Sequence, residues 1–322
     1  MVKNSSYILV GLLSVVLVLF SSCGEKKSKS GRTDTYSSGT ISIASDESFS
    51  PIVDEELQVF QNRYPKAHVK PVYTDETSAI NMLMKGKICL VITSRNFSEK
   101  EYKNLHDRDF RPRALILGYD GLAFIVNKAN NDTCISINNI KRILAGKATK
   151  WSDVVAGSRR GDIEVVFDRN NSSAVNWVVD SLTKGQGIKN PNVFAAKKSA
   201  EVISYVEKTP GAIGIIGSNW LNDQGDSTNV TFKKNIHVMS VSKMAVATPM
   251  NSWKPYQYYL YNGNYPLIRT IYALLNDPIN GLPWGFANFI ANDPIGQKII
   301  YKSALLPYSA SVNVRTVQVS NQ

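Results

Sequence analysis

Three loops of this 322-residue chain carry side chains and backbone donors from which a small oxyanion site can be built. The first is Ser45-Asp46-Glu47-Ser48-Phe49-Ser50-Pro51. Its Pro51 suits the first turn of a helix, so free backbone N–H groups are expected just ahead of it. The second loop is Thr93-Ser94-Arg95-Asn96, at the end of an apolar run, and the third is Asp168-Arg169-Asn170-Asn171-Ser172-Ser173-Ala174. Hydroxyls and N–H groups at helix starts, with a planar guanidinium in two of the three loops, are the donors that hold an oxyanion. The same spacing also describes capped helix starts flanked by surface arginines, and spacing alone leaves both readings open.

Other chemistries find less support. Ser181-Leu182-Thr183-Lys184 and Ser240-Val241-Ser242-Lys243 both spell S-x-x-K, but without S-D-N or K-T-G companions they do not make a serine acylation site. Gly211, Gly214 and Gly217 do not match the dinucleotide fingerprint and read as strand–turn packing. Gly146-Lys147 lacks the rest of a P-loop. His68, His106 and His237 are scattered and only three Cys are present, so no metal site and no cofactor are expected. No nucleophile–base pair stands out, and the chain is not expected to be an enzyme.

The loops need a frame that brings them together. Residues 41–44, 68–73 and 87–93 read as strands. A helix lies between the first two, with Val53, Leu57, Phe60 and Tyr64 on one face, and a short one at 79–85 between the second two. Ser98-Glu99-Lys100-Glu101 is a capping box that opens another helix. Strands at 115–127, 163–168 and 212–216 and helices at 138–145, 175–182 and 200–208 continue the alternation. This order predicts an α/β fold, with mainly parallel sheets and helices on both faces. In such sheets ligands sit beyond the carboxyl ends of strands, where all three loops fall.

The amino terminus is an address. Lys3, the apolar run 7–20 and Phe20-Ser21-Ser22-Cys23 resemble a bacterial lipoprotein signal, with Cys23 as the lipidated residue. An uncleaved anchor is the alternative, although the run is short for a membrane span. Residues 1–22 are thus expected to be a signal peptide and 23–39 a polar, flexible tether. The protein would then face the periplasm or the cell exterior, held to the membrane by its lipid. Whether Cys89 and Cys134 pair stays open. Lys plus Arg number 37 against 26 Asp plus Glu, a net charge of +11 that favours anionic partners. Nucleic acid is not expected, since no basic run exceeds a pair in this secreted chain.

Several blocks resemble the phosphate-binding proteins of bacterial phosphate ABC transporters. Leu144-Ala145-Gly146-Lys147-Ala148-Thr149-Lys150-Trp151 is similar to that family's F-x-G-K-I-T-x-W segment. The run from Val165 to Val175 aligns with its R-x-x-G-S-G-T loop, and Thr209-Pro210-Gly211-Ala212-Ile213-Gly214 matches its T-P-G-A-I-G turn. Asp120-Gly121-Leu122-Ala123-Phe124-Ile125-Val126-Asn127 and Tyr265-Pro266-Leu267-Ile268-Arg269-Thr270-Ile271-Tyr272 also look like family blocks, in the family's order. The resemblance implies a two-lobe type II periplasmic-binding-protein fold with a ligand cleft between the lobes. Lobe one would comprise 40–120 and 249–322, and lobe two 121–248.

It also implies a function and a set of contacts. The expected ligand is phosphate or a similar oxyanion, and the expected partner is the membrane permease of an ABC transporter, served by a monomer. Arg169, Ser172 and Ser173 would hold the anion from lobe two, and Ser48, the Phe49 backbone N–H, Ser94 and Arg95 from lobe one. Asp46 or Glu47 would accept the ligand's proton. This chain departs from the pattern where Ala174 and Val175 replace a Gly and a Thr, where Asp46 and Glu47 enter the first loop, and where Thr74-Asp75-Glu76-Thr77-Ser78 lacks glycines. Two carboxylates facing one dianion repel it. A sensor or interaction protein with an altered cleft is therefore the alternative.

Overall fold

Burial along the first strand is mixed at its start and complete over its last four residues, so its carboxyl end enters the core between two neighbours. This strand, β1 (Gly39–Asp46), runs parallel to β2 (Ala67–Thr74) and β3 (Leu90–Thr93). The computed structural model describes residues 31–222 and 232–309, and the fold lies in the unit that begins at Asp34. The next strands are β4 (Arg113–Asn127), β5 (Cys134–Ser136), β6 (Glu164–Phe167), β7 (Val193–Ala195) and β8 (Ala212–Gly217). Short β9 (Ile236–Val238) and β10 (Ser240–Ser242), long β11 (Ile268–Leu275) and β12 (Leu306–Pro307) complete the set.

The main sheet has the order β2-β1-β3-β11-β4-β8-β6-β7, with β12 and β9 also on β4. The outer strands of each half are parallel: β2, β1 and β3 on one side, and β8, β6 and β7 on the other. The centre is antiparallel. Here β4 pairs with β11 from Arg113 to Gly121 and with β8 from Leu122 to Val126. A single 15-residue strand thus belongs to both halves, with Asp120 and Gly121 at the handover. Tyr265 is buried beside it and donates its hydroxyl proton to the Leu122 carbonyl at 2.7 Å.

Local sequence explains the helices that flank the sheet. Helix Ser50–Arg63 has Pro51 in its first turn and buries Ile52, Val53, Leu57 and Phe60. The Phe60 ring meets Phe286 at 5.2 Å and Phe289 at 5.3 Å, which ties this helix to Leu282–Asn292. Helix Glu99–His106 opens with both capping-box bonds, Glu101 N–H to Ser98 Oγ at 3.3 Å and Ser98 N–H to Glu101 at 2.8 Å. The helix expected around Val175 to Leu182 forms as an α-helical Ser173–Trp177 that runs into a π-helical turn, Val178–Leu182. In the second half, Trp151, Phe124 and Phe167 sit in the largest apolar cluster. Cys89 and Cys134 do not pair with each other. Among the described residues, no helix is long and apolar enough to cross a membrane.

Candidate functional site

The carboxyl end of β1 lies beside those of β2 and β3, so the turns that follow all three strands share one edge of the first half. After β1 comes a 3-10 turn, Glu47–Phe49, whose Ser48 N–H is capped by the Asp46 carboxylate. In the second half, the loop after β6 leads into helix Ser173–Trp177, and β8 ends in Gly217 and Ser218. Asp120 of β4 and Arg269 of β11 stand opposite each other in register at the handover.

Arg269 is buried at the centre. Its Nε donates to Asp120 Oδ2 at 2.8 Å, and Nη2 forms an ion pair with the same oxygen at 2.7 Å. The other Asp120 oxygen accepts from the Ser218 N–H at 2.9 Å and the Ser218 hydroxyl at 2.7 Å. The guanidinium lies 4.7 Å from the centroid of the Phe49 ring. A Cβ on Gly217 would sit 2.7 Å from Arg269 Nη2 and 2.8 Å from Asp120 Oδ2, so any larger residue here would make the pair shift. Arg269 then extends Nη1 to Ser173 Oγ at 2.8 Å and Nη2 toward Ser48 Oγ at 3.4 Å.

These donors converge on one carboxylate, that of Asp46. Its Oδ2 accepts from the Ser173 backbone N–H at 3.0 Å. Its Oδ1 accepts from the Ser173 hydroxyl at 2.8 Å, the Ser48 N–H at 3.0 Å and the Ser48 hydroxyl. The two hydroxyls, from opposite halves of the sheet, are 2.8 Å apart. Burial, and next the charge of Asp168, raise the Asp46 pKa to about 6, against the bonds from Ser48 and Ser173. Asp168 is also raised, by burial foremost, with the Ser172 hydroxyl and the Arg169 N–H opposing.

Two more acids from the first half reach donors of the second. Glu47 Oε2 accepts from the Ser199 N–H at 3.0 Å and its hydroxyl at 2.8 Å, at the first residue of helix Ser199–Lys208. Burial raises the Glu47 pKa and the Ser199 bonds oppose it. Glu76 Oε1 accepts from the Ser94 N–H at 3.0 Å, from its hydroxyl at 3.1 Å and from Thr93 Oγ1. Glu76 Oε2 accepts from Asn176 Nδ2 at 2.9 Å. The Ser48 carbonyl adds a fourth crossing, accepting from Asn219 Nδ2 at 2.9 Å and Trp220 Nε1 at 2.8 Å. Among the described residues, no cluster of three or more His, Cys, Asp or Glu could hold a metal ion.

Of the residues singled out in the sequence, Asp46, Ser48 and Ser173 meet directly, and the Phe49 ring lines the Arg269 guanidinium. Glu47 is engaged with Ser199, and Ser94 with Glu76. Ser172 caps its helix by accepting from the Val175 N–H at 3.3 Å. Arg95 is turned onto Glu101, with two bonds of 2.8 Å. Arg169 donates Nε to the Lys197 carbonyl at 2.7 Å. Cys23 lies outside the described residues. The guanidinium beside Ser48 and Ser173 is instead that of Arg269, which sequence reasoning did not single out for the site, and Asp120, Gly217 and Glu76 were missed with it. A signal was there: Arg269 and Asp120 each interrupt an apolar strand, and opposite charges buried in two strands call for pairing.

The Asp46 cluster thus lies where the two halves of one sheet meet. Residues 30–294 match the family model of the PBP superfamily domain, and the chain belongs to that superfamily. The phosphate-binding protein PstS of Bacillus subtilis strain 168 is 20% identical over 318 residues, which cover 95% of each chain. The PstS of Borreliella burgdorferi is 24% identical over 74% of this chain and 78% of its own. Among solved structures, a Clostridium perfringens protein with bound phosphate superposes with a TM-score of 0.70 at 20% identity, covering 84% of this chain and 99% of that one. These relatives are named for binding and transport, not for catalysis.

Proposed function

We propose that this chain is an extracytoplasmic receptor that captures a small oxyanion, phosphate first among them, between its two lobes for an ABC permease. The observation that carries this reading is the seat itself. Ser48 from one half, and the Ser173 hydroxyl and N–H from the other, close on a single carboxylate beside the buried Arg269. A carboxylate is an oxyanion, so the seat already holds the class of group proposed for it. The phosphate-binding names of the relatives support phosphate as the solute. On this reading lobe one comprises 40–120 and 249–322 and lobe two 121–248, Ser48 and Ser173 contact the solute, and Arg269 stiffens Ser173. The protein would be anchored through a lipid on Cys23, at the signal-like end Phe20-Ser21-Ser22-Cys23.

Titration calorimetry with phosphate tests the receptor. One-site binding in the micromolar range or tighter is expected, weakened by Ser173→Ala. Absence of binding to phosphate, arsenate and sulfate would sink it. Fractionation of a Cys23→Ser variant tests the anchor, which requires the protein to leave the membrane fraction. The second reading, a sensor or interaction protein that does not serve transport, draws on the three acids that already occupy the cleft's donors.

A further inference from the structure

We propose that Asp46 is a built-in counter-ligand: its carboxylate fills the oxyanion seat and, with Glu47 and Glu76, latches the two halves, so an external oxyanion must displace it and takes up a proton in doing so. The part about an external ligand rests on the receptor reading above, while the latch stands on the hydrogen bonds alone.

Three acids, at or just after the carboxyl ends of β1 and β2, each use a carboxylate on the opposite half: Asp46 on Ser173, Glu47 on Ser199 and Glu76 on Asn176. A solute that bridges lobes does so by accepting hydrogen bonds from both, and here the chain's own side chains make those bonds. Asp46 does so most completely, since each of its oxygens accepts from the second half. An anion entering between Ser48 and Ser173 needs the same N–H and hydroxyl protons, and each hydroxyl has one proton to give. Entry and the Asp46 bonds therefore exclude one another.

The proton requirement follows from charge. Asp46 Oδ1, Ser48 Oγ and Ser173 Oγ form a triangle in which all three edges are hydrogen-bond contacts. The two hydroxyl protons fill the two edges to Asp46 Oδ1 and Arg269 Nη1 occupies a Ser173 acceptor site, so an ionised Asp46 satisfies both hydroxyls while it stays in place. The groups facing Asp46 are mostly acidic. Glu47 lies on its own turn, Glu76 on the helix after β2, Asp168 after β6, and Asp120 on β4 with Arg269 of β11 bound to it. Arg95 is committed to Glu101 and Arg169 to a backbone carbonyl. Placing an anion beside an ionised Asp46 adds a further like charge to this set, which favours the protonated acid.

Two measurements on the full chain test the proposal, using inorganic phosphate as the probe. The first is the small-angle X-ray radius of gyration in phosphate-scavenged buffer at pH 8, for the wild type and an Asp46→Asn/Glu47→Gln/Glu76→Gln variant. The wild type should be as compact as with phosphate, and the variant expanded. The second is calorimetric phosphate affinity at pH 5.5 and pH 8. Wild-type binding should strengthen by at least about tenfold at the lower pH, because about two pH units separate pH 8 from the Asp46 pKa. Asp46→Asn should bind more tightly than wild type at pH 8 and lose most of that pH dependence, which removes phosphate's own titration from the comparison. Equal phosphate affinity in wild type and Asp46→Asn at both pH values overturns the counter-ligand and leaves the receptor standing. Expansion of the triple variant with no phosphate binding by any form supports the latch and ends the receptor reading. A wild type that is expanded in scavenged buffer overturns the latch. If the triple variant does not fold, the single Asp46→Asn change is read by both measurements.

Discussion

Two arginine–carboxylate pairs in this molecule have nearly the same length and different consequences. Arg269 and Asp120 meet at 2.7 Å with both side chains fully buried. Arg95 and Glu101 meet at 2.8 Å near the surface, where 36% and 20% of their side chains stay exposed. The buried pair has no water to fall back on, so Asp120 recruits Ser218 and Arg269 recruits Ser173 to complete their hydrogen bonds. Those extra bonds are what place Ser173 in the seat. The surface pair steadies a helix start, and its guanidinium, although in a candidate loop, has no such reach. Burial thus decides which arginine organises the site.

Removing one member of each pair breaks the comparison most sharply. Arg269→Ala should cost about 3–5 kcal/mol of unfolding free energy, because it strands the Asp120 carboxylate in the core. Urea denaturation at pH 7 measures this, and a loss under ~1 kcal/mol would show that the pair is not the organiser.

A third carboxylate extends the series to the case with no partner. Glu56 is buried, neither oxygen finds a hydrogen-bond partner among the described residues, and burial drives its pKa up to about 9. The folded state therefore binds a proton that the unfolded chain releases above its ordinary pKa of 4.5. The stability linked to Glu56 is greatest below pH 4.5 and falls as pH rises toward 9. At 1.36 kcal/mol per unit, it contributes a loss of about 3 kcal/mol between pH 4.5 and pH 7. Asp46 contributes a smaller loss of the same sign between pH 3.8 and about 6. Glu56→Gln should flatten the stability profile between pH 6 and 9 and leave the Asp46 part; an unchanged profile would contradict the assignment.

Gly217→Ala sharpens the comparison without touching a charge. Its Cβ would press on Arg269 Nη2, Asp120 Oδ2 and Asn219 Oδ1, so a cost of about 1–3 kcal/mol is expected. A thermal melt reads it, and a neutral result would mean the pair can shift. The smallest effect belongs to Arg95→Ala, about 0.2–1 kcal/mol and reduced further by salt. A cost near that of Arg269→Ala would erase the distinction.

The contrast also explains what could be read in the sequence. Capping Ser98 and Glu101 and the apolar face of Val53, Leu57 and Phe60 are local features, and they form where expected. Asp46, Ser48 and Ser173 were legible because each lies at a junction between a strand and a helix. Arg269 and Asp120 are 149 residues apart, and their meeting depends on β4 and β11 pairing in one register. No local pattern encodes that register. Arg169 drew attention by its loop position, yet its direction is set by the Lys197 carbonyl, which no spacing announces. Glu76 looked like the loss of a family glycine, and only the packing of Thr93, Ser94 and Asn176 around it gives it a role.

The most direct measurement of the central claim is a crystal structure of the protein grown with phosphate at pH 5.5. The expected result is a phosphate within hydrogen-bond distance of Ser48 Oγ and the Ser173 N–H, with the Asp46 carboxyl turned off that N–H. A phosphate bound elsewhere, or an Asp46 still held by Ser173 beside an anion in the cleft, would contradict it.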